Sequence, residues 1–136
     1  MATFQLDIVT AEKQVYSEQV ESIVAPGFDG ELGILPNHAA LLCLLKPGEL
    51  LVRKDGEETI MAISGGFMEV MNNKATILAD TAERDEDIDL ERAEEALKRA
   101  QEQVANAGAD MDLERALVSV RRAQARIKVA RRRRAP

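Results

Sequence analysis

The sequence predicts an α+β protein, with an antiparallel β-sandwich over residues 1–84 followed by an antiparallel two-helix hairpin over residues 85–136. Three observations carry this expectation. Up to residue 84, short apolar alternations are interrupted by glycine, proline and asparagine. Beyond it, glycine and β-branched residues thin out, while Ala, Glu and Arg recur at helical spacing. Between the two, Ala82 to Ala93 holds Glu83, Asp85, Glu86, Asp87, Asp89 and Glu91 against only Arg84 and Arg92. Burying so many unpaired carboxylates is too unfavourable for a core. The junction is therefore a solvated hinge, a helix start or a binding site.

In the first part, Phe4, Leu6 and Ile8 alternate with polar neighbours, the period of a half-buried strand. Val15, Val20, Ile23 and Val24 continue in the same style up to Pro26-Gly27-Phe28-Asp29-Gly30, a turn by composition. Strands are then expected at Glu31–Leu35, stopped by Pro36-Asn37, and along the apolar run Leu41–Leu45, stopped by Pro47-Gly48. Leu50–Arg53 and Thr59–Ile63 flank Asp55-Gly56, and Phe67–Met71 and Lys74–Leu78 flank Asn72-Asn73. Both dipeptides tolerate the positive φ of a tight hairpin. Eight or more short strands at this spacing point to a sandwich or flattened barrel.

In the second part, Leu90, Ala93, Leu97, Ala100 and Val104 form one apolar seam, and Leu113, Ala116, Leu117, Val120, Ala123, Ile127 and Ala130 a second. Gly108 suits the left-handed position that closes the first helix. Asp89-Leu-Glu-Arg-Ala93 and Asp112-Leu-Glu-Arg-Ala116 repeat the same words, with an Asp expected at each cap and a Glu in the first turn. A short connection makes the helices antiparallel neighbours. Alanine-rich seams bury little area, and helices this short are marginal alone, so the hairpin should open easily.

Composition narrows the function. No apolar run approaches the roughly 20 residues of a bilayer span, and the N-terminus has no basic region followed by a long apolar stretch, so the chain is expected to start in the cytosol. Cys43, the single cysteine, reads as a small buried hydrophobe, and His38, the single histidine, as a hydrogen-bonded structural residue. There is no phosphate loop, and Gly65-Gly66 lacks the spacing of a dinucleotide fingerprint. Asp85-x-Asp87-x-Asp89 begins like a calcium loop but has Leu90 at the sixth place and Ala96 at the twelfth, so no metal site is expected. Nothing here suggests an enzyme.

Charge is graded along the chain. Residues 1–84 carry −7, residues 85–114 carry −8 and residues 115–136 carry +9. The basic end can fold onto the acidic part or meet an acidic partner. Arg92 and Arg99 lie on one side of the first seam, and Arg122 and Arg126 on the same rotational side of the second. In an antiparallel hairpin this places all four on a common flank, at two levels about 10 Å apart. Glu95 can pair with Arg99 at i,i+4, but Arg122 and Arg126 have no acid after Glu114 on their own helix. The flank is either a solvated basic face or a polyphosphate site that exists while the hairpin is closed.

Gly30-Glu-Leu-Gly-Ile-Leu-Pro-Asn-His38 and Ser64-Gly-Gly-Phe-Met-Glu-Val70, with Ala82-Glu-Arg84 and Asp87-Ile-Asp89 before an alanine-rich hairpin, resemble the epsilon subunit of F-type ATP synthases over essentially the whole chain. The resemblance implies a sandwich bound to the gamma subunit and the c-ring, peripheral to the cytoplasmic face of a bacterial plasma membrane. It implies a rotor role that couples proton transport to ATP synthesis. It also implies a hairpin that inhibits ATP hydrolysis when extended toward the alpha and beta catalytic subunits. Ile88-Asp89-Leu-Glu-Arg92-Ala93 matches the I/L-D-x-x-R-A motif with which some bacterial members bind ATP on the folded hairpin. By that likeness Ile88, Asp89 and Ala93, with Glu83 nearby, hold the base and ribose, and Arg92, Arg99, Arg122 and Arg126 face the phosphates. ATP is then a regulatory ligand and no cofactor is required. The run Arg131–Arg134 departs from common members and suggests contact with an acidic loop on the catalytic subunits.

Two other readings stand beside this one. A stand-alone nucleotide sensor would share the site but lack the partner surface. Nucleic-acid binding by the basic end is disfavoured by one Tyr, three Phe and no Trp, which leave few platforms for stacking bases.

Overall fold

The computed structural model describes residues 2–107 and 110–134. Ten strands lead into two helices: β1 (Phe4–Val9), β2 (Gln14–Val20), β3 (Ser22–Gly27), β4 (Gly30–Ile34), β5 (Leu41–Leu45), β6 (Gly48–Lys54), β7 (Glu57–Ile63), β8 (Gly66–Met71), β9 (Lys74–Ala79), β10 (Ala82–Arg84), α1 (Leu90–Ala105) and α2 (Asp110–Arg134). A single turn of 3₁₀-helix, Asp85–Asp87, joins β10 to α1. The strands form one sheet in the order β10-β7-β6-β3-β5-β8-β9-β1-β2, with β4 paired to β3. The sheet folds over a single core in which Phe4, Leu6 and Ile8 face Leu50, Met61, Met68 and Ile77. The alternation of β1 thus has a physical counterpart: every second side chain is buried.

Two hairpins follow from turn chemistry. Asp55 and Gly56 adopt φ of 52° and 77°, and Asn72 and Asn73 adopt 54° and 59°. Positive φ at both central residues matches the strand twist, which sets the registers Lys54↔Glu57 and Met71↔Lys74. The turn expected over Pro26–Gly30 is shorter than its composition suggested. Pro26 and Gly27 belong to β3, where Pro26 contributes only its carbonyl, which accepts from the Lys46 N–H at 3.0 Å. One pairing also departs from the antiparallel rule: β1 runs parallel to β9. Alternation reports which face is buried and carries no information on a neighbour's direction.

The two C-terminal helices pack along each other. Asp89 caps α1, accepting from the Arg92 N–H at 3.2 Å. The echo at Asp112 is not a cap, because α2 opens two residues earlier, at Asp110. Gly108, assigned the closing position of α1, lies outside the described residues.

The helices do not stand clear of the sandwich. Ala125 and Val129 of α2 are buried, although neither belongs to the seam read from the sequence, because α2 meets α1 on one side and β6 and β7 on another. Ala62 of β7, Ile88, Ala93, Ile127, Val129 and Ala130 make a second, smaller core at this junction. Leu113 and Leu117, at the far end of the seam, remain partly exposed.

Candidate functional site

Between the hairpin and the β7–β10 edge lies an open groove of about 430 Å³. α1 contributes Ala96, Arg99, Ala100 and Gln103, and α2 contributes Ser119, Arg122, Ala123 and Arg126. These positions recur at three and four, so each helix offers one face. Alanines at 96, 100 and 123 keep the floor small, which leaves room for a ligand where longer side chains would meet. The sheet side is formed by Ala62, Ile63, Ser64, Thr81 and Glu83. Ser64 and Thr81 satisfy each other: the Ser64 N–H donates to the Thr81 carbonyl at 3.0 Å, and the Thr81 N–H donates to Ser64 Oγ at 2.7 Å.

Three guanidinium groups enter the groove against one carboxylate of its lining. Arg126 Nε lies 2.8 Å from Glu83 Oε1, and its Nη2 donates to Oε2 at 3.3 Å. Arg122 reaches Asp80, just past β9, at 3.7 Å. Arg99 has no carboxylate within 4.0 Å among the described residues, Glu95 included. The unbalanced positive charge therefore concentrates at the Arg99 end, which favours an anion with several oxygens.

Of the residues singled out in the sequence, Glu83, Arg99, Arg122 and Arg126 are brought together. Arg92 is exposed in the first turn of α1 and is not part of the groove lining. Ile88 and Ala93 are buried in the junction core, so their side chains fix the start of α1 from within. Asp89 is exposed and its carboxylate serves the cap. Sequence reasoning missed Asp80, Gln103 and Ser119. Asp80 lies 42 positions from its partner Arg122 and gave no local signal.

Other single residues are accounted for structurally. His38 Nδ1 is 2.7 Å from the Ala39 carbonyl oxygen. Cys43 packs partly against the sandwich core, and burial pushes its thiol pKa up. Among the described residues, no three His, Cys, Asp or Glu side chains converge as a ligand set for a metal. No described helix is long and apolar enough to cross a membrane.

On the surface of the sandwich, Leu44, Phe67 and Leu78 are directly opposed across β5, β8 and β9. All three are exposed, Leu44 at 63%, and Phe28, whose N–H donates to the Leu44 carbonyl at 2.9 Å, extends the row. The basic end of α2 is engaged within the chain: Lys128 and Arg132 with Glu49, and Arg131 with Glu94. The side chains of Arg133 and Arg134 lie outside the described residues.

Comparison with known proteins matches residues 3–85 to the β-sandwich domain of the ATP synthase delta/epsilon chain, and residues 86–131 to its long α-helix domain. A protein of Herpetosiphon aurantiacus named ATP synthase epsilon chain is 51% identical over 130 residues, covering 96% of each chain. Another of that name, from Desulforamulus reducens, is 53% identical over 107 residues, covering 79% of this chain and 81% of the relative. Among solved structures, a chain of the Euglena gracilis mitochondrial ATP synthase superposes with a TM-score of 0.81 at 24% identity. It covers 96% of this chain and 82% of the other, and that likeness is one of fold.

Proposed function

The chain belongs to the ATP synthase delta/epsilon family, as an epsilon chain, and from that premise we propose that it is a non-catalytic rotor subunit of the central stalk whose hairpin is a nucleotide-responsive brake. The observation that carries the reading is the convergence of Arg99, Arg122 and Arg126 on one groove formed only while α1, α2 and the β7–β10 edge are together. A ligand that needs all three elements binds the closed form and not the open one.

Closed, the hairpin binds ATP, with the triphosphate at the arginines. Open, the same helices extend toward the alpha and beta catalytic subunits and inhibit ATP hydrolysis. ATP at a hundredfold excess over its Kd stabilises the closed form by about 2.7 kcal/mol, which shifts a marginal two-state balance decisively. Abundant ATP thus favours the non-inhibitory form and scarce ATP the extended one.

The sandwich is the coupling piece. Its exposed row of Phe28, Leu44, Phe67 and Leu78 is the surface we assign to the gamma subunit and the c-ring, because an apolar row on an otherwise charged protein marks a partner. Through these contacts the subunit takes part in coupling proton transport to ATP synthesis, peripheral to the cytoplasmic face of the membrane. Titration of ATP into the full chain tests the ligand. Binding that is lost in Arg126→Ala and Arg99→Ala supports the reading, and equal binding in wild type and variants overturns it.

A further inference from the structure

Away from the arginine groove, α2 is fastened to the sandwich a second time. Glu49, the second residue of β6, is in register with Ala62 of β7, and Ala62 lies in the small core beneath the helices. That position places Glu49 on the outer face of the sheet, where a carboxylate would ordinarily be in water. Its side chain is instead only 11% exposed. Lys128 Nζ lies 2.9 Å from Oε1, and Arg132 Nε lies 3.2 Å from Oε2.

The spacing explains how one helix face does this. Ala125, Lys128, Val129 and Arg132 recur at three and four, so the two cations flank the apolar pair that rests on the sheet. Val129 and Ala125 are buried against the sheet beside Glu49, so the carboxylate is largely shielded, while Lys128 and Arg132 reach it from the solvent side with 67% and 46% of their side chains exposed. None of the three charged residues lines the arginine groove. The closed hairpin therefore has two ionic attachments, one that a nucleotide would share and one that it would not touch.

We propose that Glu49, gripped by Lys128 and Arg132, is an ionic latch that holds the hairpin closed without nucleotide and so sets the closed fraction on which nucleotide acts. The inference rests on the reading that the hairpin opens. When it opens, Glu49 returns to water, where the two cations already largely are, so the latch contributes only what the closed geometry adds over hydration. A carboxylate left under α2 without its cations opposes closure more strongly than the intact contact favours it. Nucleotide affinity then depends on a residue it never touches, because apparent affinity scales with the fraction of competent protein.

The test uses the full chain carrying Cys43→Ser, spin-labelled at the exposed positions Glu57 and Arg115, with inter-label distances measured without nucleotide. Glu49→Gln is expected to lower the closed-to-open ratio about fivefold. Lys128→Ala with Arg132→Ala should lower it further, because the Glu49 carboxylate is then left unpaired under α2, and adding Glu49→Gln to that pair should recover part of the closed fraction, whereas a general folding defect would only deepen the loss. Raising salt should lower the closed fraction of wild type, and Glu49→Gln should show a smaller dependence, the part due to the groove pairs. A wild type that opens while Glu49→Gln keeps both its distance distribution and its salt dependence overturns the latch alone. A wild type locked at one distance in every condition, with ATP and without, overturns the opening reading and the latch with it.

Discussion

Arg126 and Glu83 form a two-point ion pair across the groove, with Arg126 Nε 2.8 Å from Glu83 Oε1 and Nη2 donating to Oε2 at 3.3 Å. Both side chains are more than two-thirds buried. The pair joins α2 to the strand before the hinge, so the hairpin seals onto the sandwich through a residue that a phosphate would also seek. Arg126→Ala should weaken ATP binding about tenfold or more, the scale of a charge-assisted contact. It should also leave Glu83 unpaired, so Glu83→Gln with Arg126→Gln should close better than Arg126→Ala alone, as read from inter-label distances.

The Asp89 cap sets where α1 begins. Asp89→Ala removes the acceptor of the Arg92 N–H and should lower hairpin stability by about 1 kcal/mol. Asp89→Asn should retain most of it. Amide exchange at the first turn of α1 checks both, and identical protection in all three proteins would contradict the capping role.

Gly66 opens β8 at a φ of +125°, and a Cβ there would run into the Leu78 carbonyl oxygen and the Ala79 Cα of the paired strand. Gly66→Ala should destabilise the sandwich by about 3 kcal/mol or more through backbone strain and the clash together. Chemical denaturation reads this directly.

Asp7 supplies a pH dependence with a definite sign. Hydrogen bonds from Gln5 and then Ser17 hold its carboxyl below the ordinary carboxylate pKa against the opposing effect of burial, with the Lys74 ammonium at 3.2 Å adding lesser contributions in the same direction. A depressed folded pKa contributes stability that is present above the unfolded value and lost as pH falls through the folded one. Asp7→Asn should therefore be destabilising at pH 7, by roughly 1 kcal/mol. The gap to wild type should narrow as urea denaturation is repeated below the carboxylate range.

The exposed apolar row of the sandwich carries a different expectation. Leu44→Ser and Phe67→Ser should leave stability within about 0.5 kcal/mol, since neither side chain is buried. Co-purification with a gamma subunit should fall sharply. Loss of stability without loss of the partner would mean that the row belongs to the fold.

What the sequence disclosed follows from where its signals are local. The alternation of Phe4, Leu6 and Ile8 and the dipeptides Asp55-Gly56 and Asn72-Asn73 report geometry within a few residues, and they placed β1 and two hairpins. The face shared by Arg99, Arg122 and Arg126 was readable because helical spacing is regular, although the same spacing also assigned Arg92 to it, which is not part of the groove lining. The parallel pairing of β1 with β9 was not, since neither strand encodes its neighbour. Nor were Glu49, Asp80 and the burial of Val129, which arise only because α2 lies down on the sheet. On their own helix Arg122, Arg126, Lys128 and Arg132 have no acid after Glu114 to pair with. In the fold, three sandwich carboxylates receive them.

The most direct measurement is the distance between spin labels at Glu91 on α1 and Gln124 on α2 in the full chain, as ATP is added. Closure coupled to the arginine groove predicts a broad or bimodal distribution without ATP that collapses to the short distance with it, and an Arg126→Ala protein that needs about tenfold or more ATP for the same response. One unchanged distance in both conditions, or an equal response in Arg126→Ala, would contradict it.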